Sequence, residues 1–157
     1  MWIEMSAERK LEELGIKLRK PAKPTAAHVP AVRAGNLVFT SGHGPSIPGR
    51  GEYRGKLGKD FTIEQGYEAA KNCTIKCLTA IKDLIEDLDK VDQVVKVLGF
   101  VNSADGFNQQ PKVVNGASDF LLTAFGEKGG HARSAVGLNE LPSNIAVEVE
   151  MIVSVKN

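Results

Sequence analysis

The side chains with the clearest chemical potential lie near the C-terminus, where an arginine in His131-Ala132-Arg133-Ser134-Ala135 precedes two glutamates in Val147-Glu148-Val149-Glu150. From Ile145 onward the pattern alternates strictly. Ile145, Val147, Val149, Met151, Val153 and Val155 share one face of a strand, and Ala146, Glu148, Glu150, Ile152 and Ser154 share the other. In the preceding segment Ser134, Val136 and Leu138 alternate with Arg133, Ala135 and Gly137. Matching apolar faces in an antiparallel hairpin predicts Arg133 and Ala135 on the glutamate face. With a six-residue connection over 139–144, Val136 faces Val147, Ala135 faces Glu148, and Arg133 lies diagonally from Glu148 at about 7–8 Å. A slip of two residues places the two charges directly opposite. A guanidinium fork beside a carboxylate, flanked by small residues, offers a seat for a planar anion. The same spacing also suits an ordinary cross-strand ion pair of Arg133 with Glu148 or Glu150.

Other candidates divide between chemistry and packing. His28, His43 and His131 have no paired ligand spacing, so a metal site would need assembly by tertiary contacts alone, and none is expected. Cys73 and Cys77 are four residues apart among apolar neighbours and read as buried free thiols in a reducing compartment. Asn115 stands opposite the apolar stripe of its helix, either in a site or as a solvated amide. Ser41 ends an apolar strand before Gly42, where it either meets a cleft or caps the turn. The glycines between 44 and 56 lack P-loop order, and the glycosylation sequon at Asn72 falls inside a helical pattern.

The elements that must carry these groups are legible from periodicity. Ser6 caps a short helix that Gly15 ends, and residues 20–30, with Pro21, Pro24 and Pro30, read as an extended connector. A first strand fits 36–41, a loop 42–51, and a weaker second strand 52–57. Thr62 and Gln65 have capping-box spacing, followed by a stripe of Ile63, Tyr67, Ala70, Cys73, Cys77, Ile81, Leu84 and Leu88. The Val-rich stretch 91–101 predicts a central strand. A second helix follows Pro111 and ends at Gly126, burying Val113, Val114, Ala117, Phe120, Leu121, Ala124 and Phe125. Strands over 133–138 and 145–155 close the chain as an antiparallel pair. The fold class is α+β, a mixed sheet with two helices on one face.

A chain of 157 residues with 42% hydrophobic content suffices for one core. A net charge of +1 argues against a phosphate-neutralising surface, so no nucleic-acid partner is expected. No apolar run approaches the ~18 residues of a membrane helix, and the charged first twenty residues do not resemble a secretory signal. A cytoplasmic protein is expected.

The run His131-Ala-Arg-Ser-Ala-Val-Gly-Leu-Asn-Glu-Leu-Pro, with Val147-Glu-Val-Glu-Met-Ile-Val, resembles the C-terminal signature of the RidA/YjgF family of reactive-intermediate imine deaminases. Members of that family also carry endoribonuclease L-PSP-like names. Leu37-Val-Phe-Thr-Ser-Gly resembles the family's first-strand motif, and Asn115 stands where the family carries an asparagine. The resemblance spans residues 32–155, leaving 1–31 as an N-terminal extension and 32–157 as the family-like domain.

The resemblance implies a chorismate-mutase-like fold assembled as a homotrimer, with ligand clefts between subunits and no cofactor. It implies that Arg133 binds a substrate carboxylate, Glu148 orients water, and the Ala135 N–H contacts the ligand, with Ser41 and Asn115 completing the pocket. The activity implied is hydrolysis of enamines or imines to 2-oxo acids and ammonia. A non-catalytic trimeric sensor of small carboxylic acids, or a hydrolase of another C–N bond in a catabolic pathway, are the alternatives. Three positions depart from the archetype: His28 replaces a tyrosine, His43 a glutamine, and Ala135 a cysteine, which removes any thiol nucleophile there. The two histidines bear on which ligands the cleft accepts.

Overall fold

Helix formation is strongest where both the capping signal and the apolar stripe are present. The computed structural model describes residues 6–21, 23–24, 27–45 and 53–157. Thr62 caps α2 (Ile63–Ile85) through its hydroxyl, and Gln65 returns the bond to the Thr62 N–H, forming the full capping box. Ala70, Cys73, Cys77 and Ile81 are buried as the stripe requires, whereas Leu84 is exposed and does not belong to it. Helix α3 (Gln110–Phe125) opens with Pro111 in its first turn and stops at Gly126, and its seven stripe residues are all buried.

Both helices cover one face of a five-stranded sheet whose order is β1 (Ala31–Ala34), β2 (Leu37–Thr40), β5 (Val147–Val155), β3 (Val91–Asn102) and β4 (Ala132–Leu138). The only parallel pair among these is β3 with β4, joined through α3 as a βαβ crossover. Strand β5 is antiparallel to both β2 and β3. From Val147 on its alternation is as read, with Val147, Val149, Met151, Val153 and Val155 buried beneath the helices; the expected start at Ile145 is corrected, since Ile145 and Ala146 precede the strand and it is Ala146 that is fully buried.

Two strand readings are corrected. The closing strands do not form an antiparallel pair, because β3 lies between β4 and β5. The 8-residue gap after Leu138 is long enough for the chain to pass the end of β3, and pattern alone cannot tell that path from a hairpin. No strand forms at 53–57 among the described residues; Arg54 and Leu57 make only isolated bridges, and Glu52 lies outside those residues, as does much of the 42–51 loop. A strand not anticipated, β1, pairs with β2 around a Gly35-Asn36 turn in which Gly35 has φ 62°. Two-residue turns of this composition suit hairpins.

The short helix α1 (Ala7–Glu13) starts at Ser6 and gives way at Gly15, whose φ is 70°. It docks on the body by specific bonds. Asp89 accepts from the Ala7 N–H at 2.7 Å, and Glu8 accepts from the Leu88 N–H at 3.0 Å and pairs with Lys82 at 2.5 Å. Leu11, 2% exposed, lies in the common core. Truncating it removes buried methyl groups from a packed interior. Leu11→Ala therefore lowers unfolding free energy by about 2–5 kcal/mol in urea titration, whereas exposed Glu12→Ala changes it by less than about 0.5 kcal/mol.

Candidate active site

Strand register decides which side of the sheet each candidate occupies. Arg133 pairs with Val97 and Ala135 with Gly99, and both partners lie under the helices. Arg133 is thus on the helix side, against α3. Its Nη1 donates to Asn115 Oδ1 at 2.9 Å and to Ser118 Oγ at 3.0 Å. Asn115 and Ser118 are three apart on one face of α3 and reach the same guanidinium nitrogen. Ala135 packs against the core beside them. The apolar Val136 and Leu138 point the other way and are 43% and 36% exposed.

Glu148 pairs with Phe100 on the side away from the helices. Arg133 and Glu148 therefore project to opposite sides of the sheet, with β3 between their strands. The shared in-chain crevice expected from a hairpin is not formed. The reason is the strand order: with β3 interposed, the small residues of β4 face α3 and its apolar residues face outward.

Glu148 is half-buried, and its side chain runs along the backbone at Gly42, where a methyl group would come within 1.9 Å of Oε1. Gly42 is thus the residue that admits the carboxylate. Burial, and secondarily the charge of Glu150, push the Glu148 carboxyl above the usual glutamate value.

Ser41 follows β2 and donates to the Val29 carbonyl. It shares a shallow pocket of 290 Å³ with His28, Val29, Val32 and Phe39. His43 instead pairs with Val149 through both backbone bonds, and its ring approaches the Pro30 carbonyl at 3.4 Å. Burial depresses its pKa, the Pro30 bond opposes this, and Lys76 adds to the depression. The chain thus brings Arg133 and Asn115 together, and Ser41 and His28 together, in two separate places.

Two residues join the site without having been singled out for it. Ser118 links Arg133 to His131, whose Nε2 is 2.9 Å from the Ser118 hydroxyl and whose Nδ1 is 2.6 Å from the Gly129 carbonyl. The available signals were Asn115 and Ser118 at i,i+3 and His131 and Arg133 at i,i+2. Both thiols are structural. Cys73 and Cys77 are buried and donate to the Val147 and Val149 carbonyls; burial pushes Cys77 up to about 12 and Cys73 well above its ordinary value.

A family model described as "YjgF/chorismate_mutase-like, putative endoribonuclease" matches residues 8–154. The chain belongs to the YjgF family. Protein TCP17 of Trypanosoma cruzi is 41% identical over 148 residues, which are 94% of this chain and 92% of that one. The structure of Atu1372 from Agrobacterium tumefaciens superposes with a TM-score of 0.87 at 38% identity, covering 96% of this chain and 94% of that one. The 2-iminobutanoate/2-iminopropanoate deaminase of Dermatophagoides farinae is 29% identical over 136 residues, 85% of this chain and 90% of its own. The YjgF match begins within α1, so the family model includes most of the docked helix.

The raised Glu148 pKa has a defined stability consequence. The fold holds this proton more tightly than the unfolded chain does, so its contribution is present below the ordinary glutamate value and lost as pH rises through the raised one. Glu148→Gln stays neutral and should raise the melting temperature at pH 7 by about 1–2 °C, the gain being small because the group is half-exposed. At pH 3.5 the variant and wild type should melt together; calorimetry at the two pH values checks both.

Proposed function

We propose that the protein hydrolyses small enamine or imine intermediates to 2-oxo acids and ammonia, in clefts between the subunits of a homotrimer. In each cleft Arg133 of one copy faces Glu148 of a neighbour. The observation that carries this reading is how Arg133 is held. Its partners are an amide oxygen and a hydroxyl, and none of the ion pairs among the described residues involves it. The guanidinium is fixed while its charge stays uncompensated. With Nη1 occupied, the Nε–H and Nη2–H edge remains for two parallel bonds to a carboxylate.

The opposite side of the sheet supports self-association. Val32, Phe39, Leu98, Phe100, Val136 and Ile152 share that side with Glu148, and Val32 and Val136 are 51% and 43% exposed. Large exposed apolar faces mark interaction surfaces. A second copy seated here would bring an Arg133 edge toward Glu148, which one chain cannot do for itself.

The chemistry follows from charge and proton placement. The imine carbon is already electrophilic, so a positioned water needs only a base. Glu148 takes a proton from water as oxygen adds to carbon and returns it to nitrogen, giving a carbinolamine; it then carries the hydroxyl proton to the amine nitrogen as the C–N bond breaks and the C=O bond forms, releasing ammonia and the 2-oxo acid. Burial raises the Glu148 pKa above the ordinary glutamate value, which makes it a better proton acceptor for these transfers. Ser41, His28, His43, Asn115 and the Ala135 N–H are proposed as the remaining pocket groups.

Losing two charge-assisted bonds to the carboxylate costs about 10²–10³ in kcat/KM. Arg133→Ala should show at least that loss on a 2-imino acid generated in situ, while light scattering still reports three copies of the 16.9 kDa chain. An unchanged rate contradicts the reading, and saturable binding of 2-oxobutanoate by wild type with no acceleration of hydrolysis replaces it with a sensor.

A further inference from the structure

We propose that Ser118 and His131 form a two-link hydrogen-bond relay that fixes the orientation of the Arg133 guanidinium. Both are positioning residues, acting on a ligand only through Arg133, and the inference rests on Arg133 being the carboxylate seat.

The bonds of the relay fit one consistent set of directions, taken from the Nδ1–H tautomer. A carbonyl only accepts, so the 2.6 Å contact to Gly129 puts a ring proton on Nδ1. Nε2 then offers a lone pair, and the Ser118 hydroxyl donates its single proton to it at 2.9 Å. With that proton committed, Ser118 Oγ presents a lone pair to Arg133 Nη1 at 3.0 Å, alongside Asn115 Oδ1 at 2.9 Å. In the other tautomer Nδ1 would set a lone pair against the Gly129 carbonyl oxygen, and turning the Ser118 hydroxyl toward Arg133 would set a donor against a donor.

The far end of the relay is anchored in backbone. Gly129 packs so closely on α3 that a methyl group there would lie 2.2 Å from the Leu121 carbonyl oxygen. The turn Gly126–Gly129 and helix α3 therefore meet at His131, just before β4, and Arg133, two residues further along the chain, inherits that rigidity. All the relay's acceptors are uncharged, so it restrains a flexible side chain without cancelling the charge an anion needs. Ser118 beside His131 also has the separation of a nucleophile and its base. Its oxygen, however, is directed at a cation it helps to hold, and a nucleophilic role gives different outcomes in the test below.

The test compares Ser118→Ala and His131→Leu with Ser118→Thr and His131→Gln, which keep a hydroxyl and an acceptor near Nε2. Freeing a rotamer-rich side chain before binding costs up to about ten-fold in affinity. Ser118→Ala and His131→Leu should weaken 2-oxobutanoate binding in calorimetry by about that factor and raise KM equally, with kcat within about two-fold. The Thr and Gln variants should recover most of the loss. In ligand-free His131→Leu, the Arg133 Nε–H order parameter should fall below about 0.6. Unchanged affinity and order parameter overturn the relay. Loss of kcat at constant KM, with covalent labelling of Ser118 by a fluorophosphonate, overturns it in favour of a nucleophile. If wild type binds no 2-oxo acid the proposed function falls, and the order parameter still decides the relay.

Discussion

Residues paired across neighbouring strands share a side of the sheet, and residues an odd number apart along one strand do not; these two rules govern everything else about this protein. Arg133 pairs with Val97, and Val97 with Met151. Glu148 lies three positions from Met151 on the same strand, so it must stand on the side opposite Arg133. No rotamer change reverses this, because both strands are locked between neighbours or under α3. A chain with this register keeps its cation and its half-buried acid apart, and a chemistry that needs both needs a second copy.

The core serves that separation. Under the helices, β5 is gripped by α2, with Cys73 and Cys77 donating to its carbonyls, and by Thr40, whose hydroxyl accepts the Met151 N–H at 3.0 Å. Among the described residues every buried side-chain nitrogen and oxygen is paired, which makes the strand positions rigid rather than adjustable. At the other edge, α3 reaches over β4 and fixes Arg133 through neutral acceptors. Close approaches at Gly42 and Gly129 set the fine geometry, the first admitting the Glu148 carboxylate and the second seating the turn behind His131.

Local patterns were largely legible in the sequence because they depend on short-range physics. The Thr62–Gln65 box, the stripe of α3 and the alternation of β5 each follow from propensity and burial within one element. The partnership of β4 was not legible, since a connection of this length serves a hairpin or a passage past β3 equally well, and the apolar residues of β4 do not face the core. Leu84 failed for a related reason: periodicity marks a stripe but not its exact bearing on the sheet, and it is Ile85, one residue on, that is buried. For the site, Asn115 beside Arg133 was reachable through family resemblance. The relay through Ser118 and His131 needed three-dimensional adjacency between a helix and a strand edge, which spacing in each element only hinted at.

The central claim is that a working site takes Arg133 and Glu148 from different copies, and subunit mixing tests it most directly. Arg133→Ala and Glu148→Gln chains, each inactive alone, are unfolded together at equal concentration and allowed to reassemble. Random mixing gives intact pairs at about one quarter of the intersubunit sites, so about a quarter of wild-type turnover should return. Mixed assemblies that form and stay inactive would contradict the account.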